Sequence, residues 1–501
     1  MSVSSIPSRR RLLGWLAGAL ALLLLVLLIR RPLASLALGS ALRLAGTGEA
    51  GFQVEEVSPW RLELSNLGFR VRTQPFTARH VTLERLHWWS PSFGLVRVEG
   101  LRLAVAIDGS DIDPWAWSSY HTDKQAITAT NAVRLPFEQL QVQGQVVLTA
   151  AAMADRPVDV LLAFKRLSGS AWRADLGATA PGLQLQAEGH YEPIGDRLDY
   201  RVTTASLDLQ TWQEVVRRQV LLPGGPWELA GRLAGTATGH YAEKSRGATG
   251  QVVVSDGRLN NPVRHVSMEG IAADLEFTDL LRLRSRPGRI RARELRSGDF
   301  LLSDLDLTIA FEGADLLRVT RAEMTAFGGR LSVNAFKFLP AQQEIEAVIV
   351  ASGLDIEQLL AATRDVPARA SGRVDGRLPF RLDNSGVRLL QGWLQLRPGE
   401  QASLRFHAPG ALTSGRAPVG AQYTELRKLE AGQLALRANE LRLDLRPPGG
   451  ALGRTATLHL VGEAVGGSEH DPLTLDLDFA TPLEQFISFG TANGQQLPSG
   501  H

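Results

Sequence analysis

The chain has 501 residues, 44% hydrophobic and 21% charged, so it holds enough apolar side chain to fold and is not disordered as a whole. It has no cysteine, which excludes disulfides, thiolate nucleophiles, iron–sulfur clusters and cysteine-bound zinc. A formal net charge of +2 gives no bulk electrostatic case for nucleic acid.

Residues 12–29 form an uninterrupted run of 18 apolar residues and glycines. At 1.5 Å per residue, such a helix spans about 27 Å, close to the hydrocarbon thickness of a bilayer. Arg9, Arg10 and Arg11 precede the run, and Arg30 and Arg31 follow it. A cleaved signal peptide is the competing reading, but its apolar core is ordinarily shorter. The arginine balance favours a cytoplasmic N-terminus, with the bulk of the chain across the membrane. Residues 32–46 carry apolar side chains at Leu33, Leu36, Ala37, Ala41 and Leu44, the spacing of a short juxtamembrane helix. Gly46-Thr47-Gly48-Glu49-Ala50-Gly51 fits the dinucleotide pattern G-x-G-x-x-G, but a helix precedes it and a strand follows, the reverse of the order phosphate binding needs.

From about residue 52 onward, period-two alternation dominates. Leu140, Val142, Val146 and Leu148 alternate with glutamines. Leu305, Leu307, Ile309 and Phe311 alternate with Asp304, Asp306 and Thr308. Leu441, Leu443 and Leu445 alternate with Arg442 and Asp444; Leu473, Leu475, Leu477 and Phe479 alternate with Thr474, Asp476 and Asp478. Each such strand has one apolar and one wet face. Turns are expected at Pro287-Gly288, Pro398-Gly399, Pro409-Gly410 and Pro448-Gly449-Gly450. Helices are expected at 211–220 and 355–364, each inside a repeated phrase. Leu207-Asp208-Leu209-Gln210 leads to a helix and then Gly231-Arg232-Leu233-Ala234-Gly235. Leu354-Asp355-Ile356-Glu357 leads to a helix and then Gly372-Arg373-Val374-Asp375-Gly376.

The opening GFQVEEVSPWRLELSNLGFRV, behind a membrane helix and a short helix, resembles AsmA-like proteins. Gly353 to Leu360, Gly372, Gly376, Leu378, Pro379, Pro398 and Gly399 resemble the repeating unit of the YdbH-like branch, and Ala326 to Phe336 its Gly-Gly strand start. The resemblance covers most of the chain and is most specific from about 200 to 410. It implies a bridge-like phospholipid transporter of a Gram-negative envelope, anchored in the inner membrane and extending through the periplasm. It also implies a small outer-membrane lipoprotein as partner at the C-terminal strand.

The expected fold is therefore mainly β: an N-terminal transmembrane helix, then an elongated, curved antiparallel β-sheet groove with a few short helices. The expected organisation is an anchor at 1–31, a juxtamembrane helix at 32–46 and a membrane-proximal β region at 47–120. A polar linker follows at 121–136, the β-groove at 137–480, and a short helix and polar tail at 481–501. Some 25–30 strands stacked at 4.8 Å would make a groove of roughly 120–145 Å. Candidate lining residues are Leu140, Val142, Leu305, Leu307, Ile309, Phe311, Leu331, Val333, Leu394, Leu396, Leu441, Leu443, Leu445, Leu473, Leu475 and Leu477. The rival reading closes the same apolar faces into the core of an envelope scaffold that assists outer-membrane assembly.

Arg282, Arg284, Arg286, Arg289, Arg291, Arg293 and Arg296 crowd one segment. If Pro287-Gly288 closes a hairpin, these arginines face one another, so acidic groups must lie alongside. Neighbouring strands carrying Asp274 and Glu276 would provide them, or else phospholipid headgroups at Arg284, Arg286, Arg289 and Arg291. Trp60, Trp88, Trp89, Trp115 and Trp117 fall near the expected membrane end; Trp88 and Trp89 are candidates for the bilayer interface. Asp108, Asp111 and Asp113 lack calcium-loop spacing, the histidines lack H-E-x-x-H, and no G-x-S-x-G or phosphate-loop motif occurs. The expectation is a protein that is not an enzyme and takes no metal or cofactor, with phospholipid and membrane as partners.

Overall fold

A computed structural model of the chain describes residues 51–479, with internal breaks of which 107–136 is the longest. The expected span at 12–29, the helix at 32–46, Trp88, Trp89, the carboxylate loop at 108–113, the linker at 121–136 and the tail at 481–501 lie outside the described residues. No described helix is long and apolar enough to cross a membrane.

The described chain is mainly β and divides into two units. In the first unit lie β1 (Gly51–Val57), β2 (Arg61–Val71), β3 (Gln74–Glu84), β4 (Phe93–Ala106), β5 (Phe137–Thr149), β6 (Arg156–Arg166), β7 (Trp172–Ala180), β8 (Leu183–Glu192) and β9 (Arg197–Asp208). They pair in chain order, each antiparallel to the next except β4 and β5, which are parallel. That pair corrects the all-antiparallel expectation. Parallel neighbours need a long crossover, and 107–136 supplies the length. Nine strands at a spacing of about 4.8 Å make this sheet roughly 38 Å across.

The helix α1 (Gln213–Gln219) follows, and then β10 (Glu228–Ala242), whose residues are shared between the units. The second unit continues with β11 (Ser245–Asn261), β12 (Val266–Asp279), β13 (Arg284–Ser285), β14 (Gly288–Ser297), β15 (Phe300–Gly313), β16 (Leu316–Ala326), β17 (Gly329–Val333), β18 (Phe336–Phe338) and β19 (Ile345–Asp355). The helix α2 (Ile356–Ala362) precedes β20 (Ala368–Ser371), β21 (Arg373–Asp383), β22 (Gly386–Leu389), β23 (Gly392–Leu396) and β24 (Ala402–Phe406). The helix α3 (Ala421–Glu430) precedes β25 (Ala435–Leu445), β26 (Ala456–Val465) and β27 (Leu473–Phe479). The two expected helices appear, each shortened; α3 was not foreseen.

Several short strands are pieces of one. β13 and β14 both pair antiparallel with β12 and with β15, so Pro287-Gly288 interrupts a strand instead of closing a hairpin. From Ser285 to Arg289 the chain advances four residues while β12 advances three, from Phe277 to Asp274. The extra residue makes a β-bulge at a proline that has no N–H for the ladder. β17 and β18 likewise share β16, β20 and β21 lie end to end, and β22, β23 and β24 follow one another along their neighbours. Strand number therefore overstates sheet extent. From β11 to β27 there are about twelve ladder positions, or roughly 53 Å.

The repeated phrase is a structural repeat. Asp208 Oδ1 accepts the Thr211 N–H at 2.7 Å before α1, and Asp355 Oδ1 accepts the Glu357 N–H at 2.8 Å at the start of α2. In both copies the chain then returns to a glycine carbonyl, Leu209 N to Gly231 O at 2.8 Å and Ile356 N to Gly372 O at 3.0 Å. Gly231 and Gly372 hold φ of 115° and 125°, which side-chain-bearing residues avoid.

Candidate functional site

Ladder register decides which residues share a face. In the first unit one rank reads Val54, Leu64, Val81, Val98, Val142, Leu162, Leu176, Ala187 and Val202, one residue from each strand from β1 to β9. Every member is apolar. One position along β2 to β9, the rank reads Glu63, Thr82, Arg97, Gln141, Ala163, Asp175, Glu188 and Arg201. The sheet thus has one apolar and one polar side. Leu140, Val142, Leu162, Phe164, Leu176 and Val202 are partly buried, not fully buried. The cluster centred on Leu64, Ala78 and Val81 consists of ladder neighbours on β1 to β4, not of two opposed layers.

The second unit repeats the pattern. Met324, Leu331, Ala351, Gly376, Leu394, Leu443, Leu458 and Leu477 form a rank from β16 to β27. On the other side run Arg291, Asp306, Glu323, Ser332, Val350, Arg377, Trp393, Asp444 and Thr457.

All sixteen candidate lining residues lie on the apolar sides, but their burial differs. Leu140 and Val142 are partly buried. Leu305 and Ile309 are buried, while Leu307, Phe311 and Val333 stay partly exposed around the cluster of Leu275, Phe277, Ile309, Val319 and Ala322. Leu331, Leu394 and Leu477 flank a second, denser cluster that contains Leu396, Leu441, Leu473 and Leu475. Leu445 is buried and Leu443 partly buried on the same side of β25. In this denser cluster Leu436 and Leu460 are 0% exposed, and Leu426 and Leu429 of α3 and Leu412 of the preceding loop are buried members of the same cluster. Sequence reading missed these three leucines, and also missed Val98, Leu162, Leu176 and Val202. The alternation of β6 is legible in its sequence, but alanines and glycines blur β7 and β8.

The arginine segment lies on the polar side, among carboxylates. Arg286 Nη1 donates to Glu276 at 2.7 Å, Arg289 is paired with Asp306, and Arg293 reaches Glu269 at 3.5 Å. Arg284 stands opposite Asp279 and Glu312 in the ladder, and Arg291 opposite Asp306. The Arg289 guanidinium, aided by the charges of Arg291 and Arg321, holds the Asp306 carboxyl below its usual range despite some desolvation. These partners are strand neighbours, as the neighbour reading expected, although the facing-arginine hairpin does not form.

Glu55, Glu63 and His80 come together on β1 to β3. The His80 nitrogens point to different carboxylates, Nδ1 to Glu55 at 3.8 Å and Nε2 to Glu63 at 4.0 Å, and Arg61 also pairs with Glu63. One metal ion takes a single nitrogen from each histidine, whereas here the two carboxylates lie towards different nitrogens of the ring. Trp60 is 51% exposed, at the turn between β1 and β2.

The family whose model matches is YdbH-like, described as intermembrane phospholipid transport protein YdbH, and the match runs over residues 102–400, more than half of the 501 residues. No curated protein and no solved structure matches the chain.

Proposed function

Because the chain belongs to the YdbH-like family, we propose that its apolar sheet side is a path along which phospholipid acyl chains pass between two membranes, without covalent chemistry. The observation that carries this reading is the unbroken apolar rank from Val54 to Val202, whose members Val98, Val142, Leu162, Leu176 and Val202 keep part of their surface exposed. A bare acyl chain of sixteen carbons costs about 12 kcal/mol in water, at about 0.8 kcal/mol per CH₂. A continuous apolar surface removes most of that cost at every step. Leu, Val, Ile and Phe offer no directional partner, so a chain can slide along them without a fixed stop.

In this reading the run at 12–29 is a single inner-membrane span, and the β units stand in the periplasm as an elongated groove. Lipid travels towards the outer membrane, and the outer edge of β27 accepts a strand from a small lipoprotein. Leu140, Val142, Leu307, Phe311 and Val333, partly buried and outside the α3-containing cluster, are the lining assigned to lipid contact. No metal or cofactor enters the mechanism. The scaffold reading draws its support from the α3-covered cluster around Leu436 and Leu460.

A photo-crosslinking amino acid at Leu307, and separately at Thr308, tests the proposal in cells fed radiolabelled phosphate. Leu307 lies on the apolar side and Thr308, its chain neighbour, on the side of Arg289 and Arg321. Lipid adducts at Leu307 and none at Thr308 are expected. Silence at Leu307, Leu140 and Leu162 alike would transfer the assignment to the scaffold.

A further inference from the structure

β24 and β25 are hydrogen-bonded neighbours, with Ala402 opposite Ala438 and Leu404 opposite Leu436. Antiparallel neighbours need only a short turn. Here residues 407–434 intervene, and their described part includes α3 and Leu412. Leu412, Leu426 and Leu429 are 4%, 1% and 0% exposed, and they share a cluster with Leu404, Leu436, Leu460 and Leu475. The insertion thus lays three leucines on the apolar side of the sheet, just where an acyl chain would lie. Arg427 and Lys428 of the same helix are exposed.

One carboxylate ties this cover together. Glu430, at the end of α3, is 3% exposed. Its oxygens accept the Gly410 N–H at 2.7 Å, the Leu412 N–H at 2.7 Å and the Thr413 hydroxyl at 3.0 Å. The helix ends beside it on Gly432, at φ of 71°, whose N–H bonds Leu429 O at 3.0 Å. Helix and loop are therefore joined through the side chain of a single residue, so they part only when its bonds break.

We propose that the face under α3 is a closed acyl-chain site at the C-terminal strands, filled by the chain's own Leu412, Leu426 and Leu429, and that Glu430 is the latch that lipid passage releases. This inference rests on the acyl-chain path proposed above. The cover supplies what the lipid supplies when it arrives, a layer of methyl and methylene groups, so exchange leaves little apolar surface wet.

The absence of native cysteine makes a direct test clean. In the full-length chain, Thr413→Cys with Glu430→Cys removes the latch, and dibromobimane then bridges the two thiols and restores it covalently. A photo-crosslinking residue is placed at Leu477, and in a second preparation at Leu307, in vesicles of radiolabelled phosphatidylethanolamine and phosphatidylglycerol. Unbridged protein is expected to label at both positions. Bridged protein is expected to keep its label at Leu307 and lose at least fivefold at Leu477. Equal labelling at Leu477 in both states, or none in either while Leu307 labels, overturns the latch. Loss of label at Leu307 in both states instead overturns the path itself. Should the double variant fail to fold, Glu430→Gln decides: a severalfold gain of label at Leu477 over the unaltered chain is expected, and no gain refutes the inference.

Discussion

Truncating two leucines of the same sheet side separates a covered face from an uncovered one. Leu460→Ala and Leu307→Ala each delete three carbon groups, about 2.4 kcal/mol of transfer free energy at about 0.8 kcal/mol per group. Leu460 is 0% exposed beneath the α3 cover, so its deletion also leaves a cavity. A total loss of about 3–4 kcal/mol is expected there. Leu307 is partly exposed, in contact with its ladder neighbours. Part of its transfer energy is never realised, and the vacated volume joins solvent instead of forming a cavity. The expected loss is about 1.5 kcal/mol. Urea unfolding of the full chain, followed by tryptophan fluorescence and compared at a common m-value, measures both. Both residues lie in the second unit, so the same transition is compared. Equal losses would mean that β15 faces a packed layer, and the path argument would fail.

Two further perturbations address the repeat and the latch. Gly231→Ala forces a Cβ to 2.7 Å from the Gly257 Cα at a φ of 115°, so a loss of about 2–3 kcal/mol is expected, read as a lowered melting temperature. At Glu430, burial pushes the carboxyl up, but bonds from the Thr413 hydroxyl and from the Gly410, Leu412 and Thr413 N–H groups outweigh it, so the value lies below the ordinary one. A depressed carboxyl contributes stability that is full above its unfolded value of about 4.3 and is lost as pH falls through the folded value. Proteolysis of the 407–434 segment should therefore accelerate in acid, and Glu430→Gln should flatten that dependence; a parallel profile in the variant would place the acid sensitivity elsewhere.

Much of this molecule is local in origin. Alternation at Leu305 to Phe311 and at Leu473 to Leu477 assigns strands and sorts their side chains into two faces, because a strand's side-chain period is two wherever it sits. The Asp–helix–glycine phrase is equally local, since the cap and the return to the glycine carbonyl are made within about 25 residues. The family resemblance follows from the same stretches, and the match over residues 102–400 bears it out. Register, cover and connection were settled elsewhere. Pro287-Gly288 reads as a turn by itself, and becomes a bulge because β12 and β15 flank both halves of its strand. β4 and β5, consecutive in the chain, pair in parallel, which their alternation by itself does not state. Whether an apolar face stays partly wet, as at Leu307, or dry, as at Leu460, depends on what a distant segment lays upon it. Alternation states only that a face is apolar; α3 and Leu412 decide where that face is closed, because cover comes from long-range packing that no local period encodes.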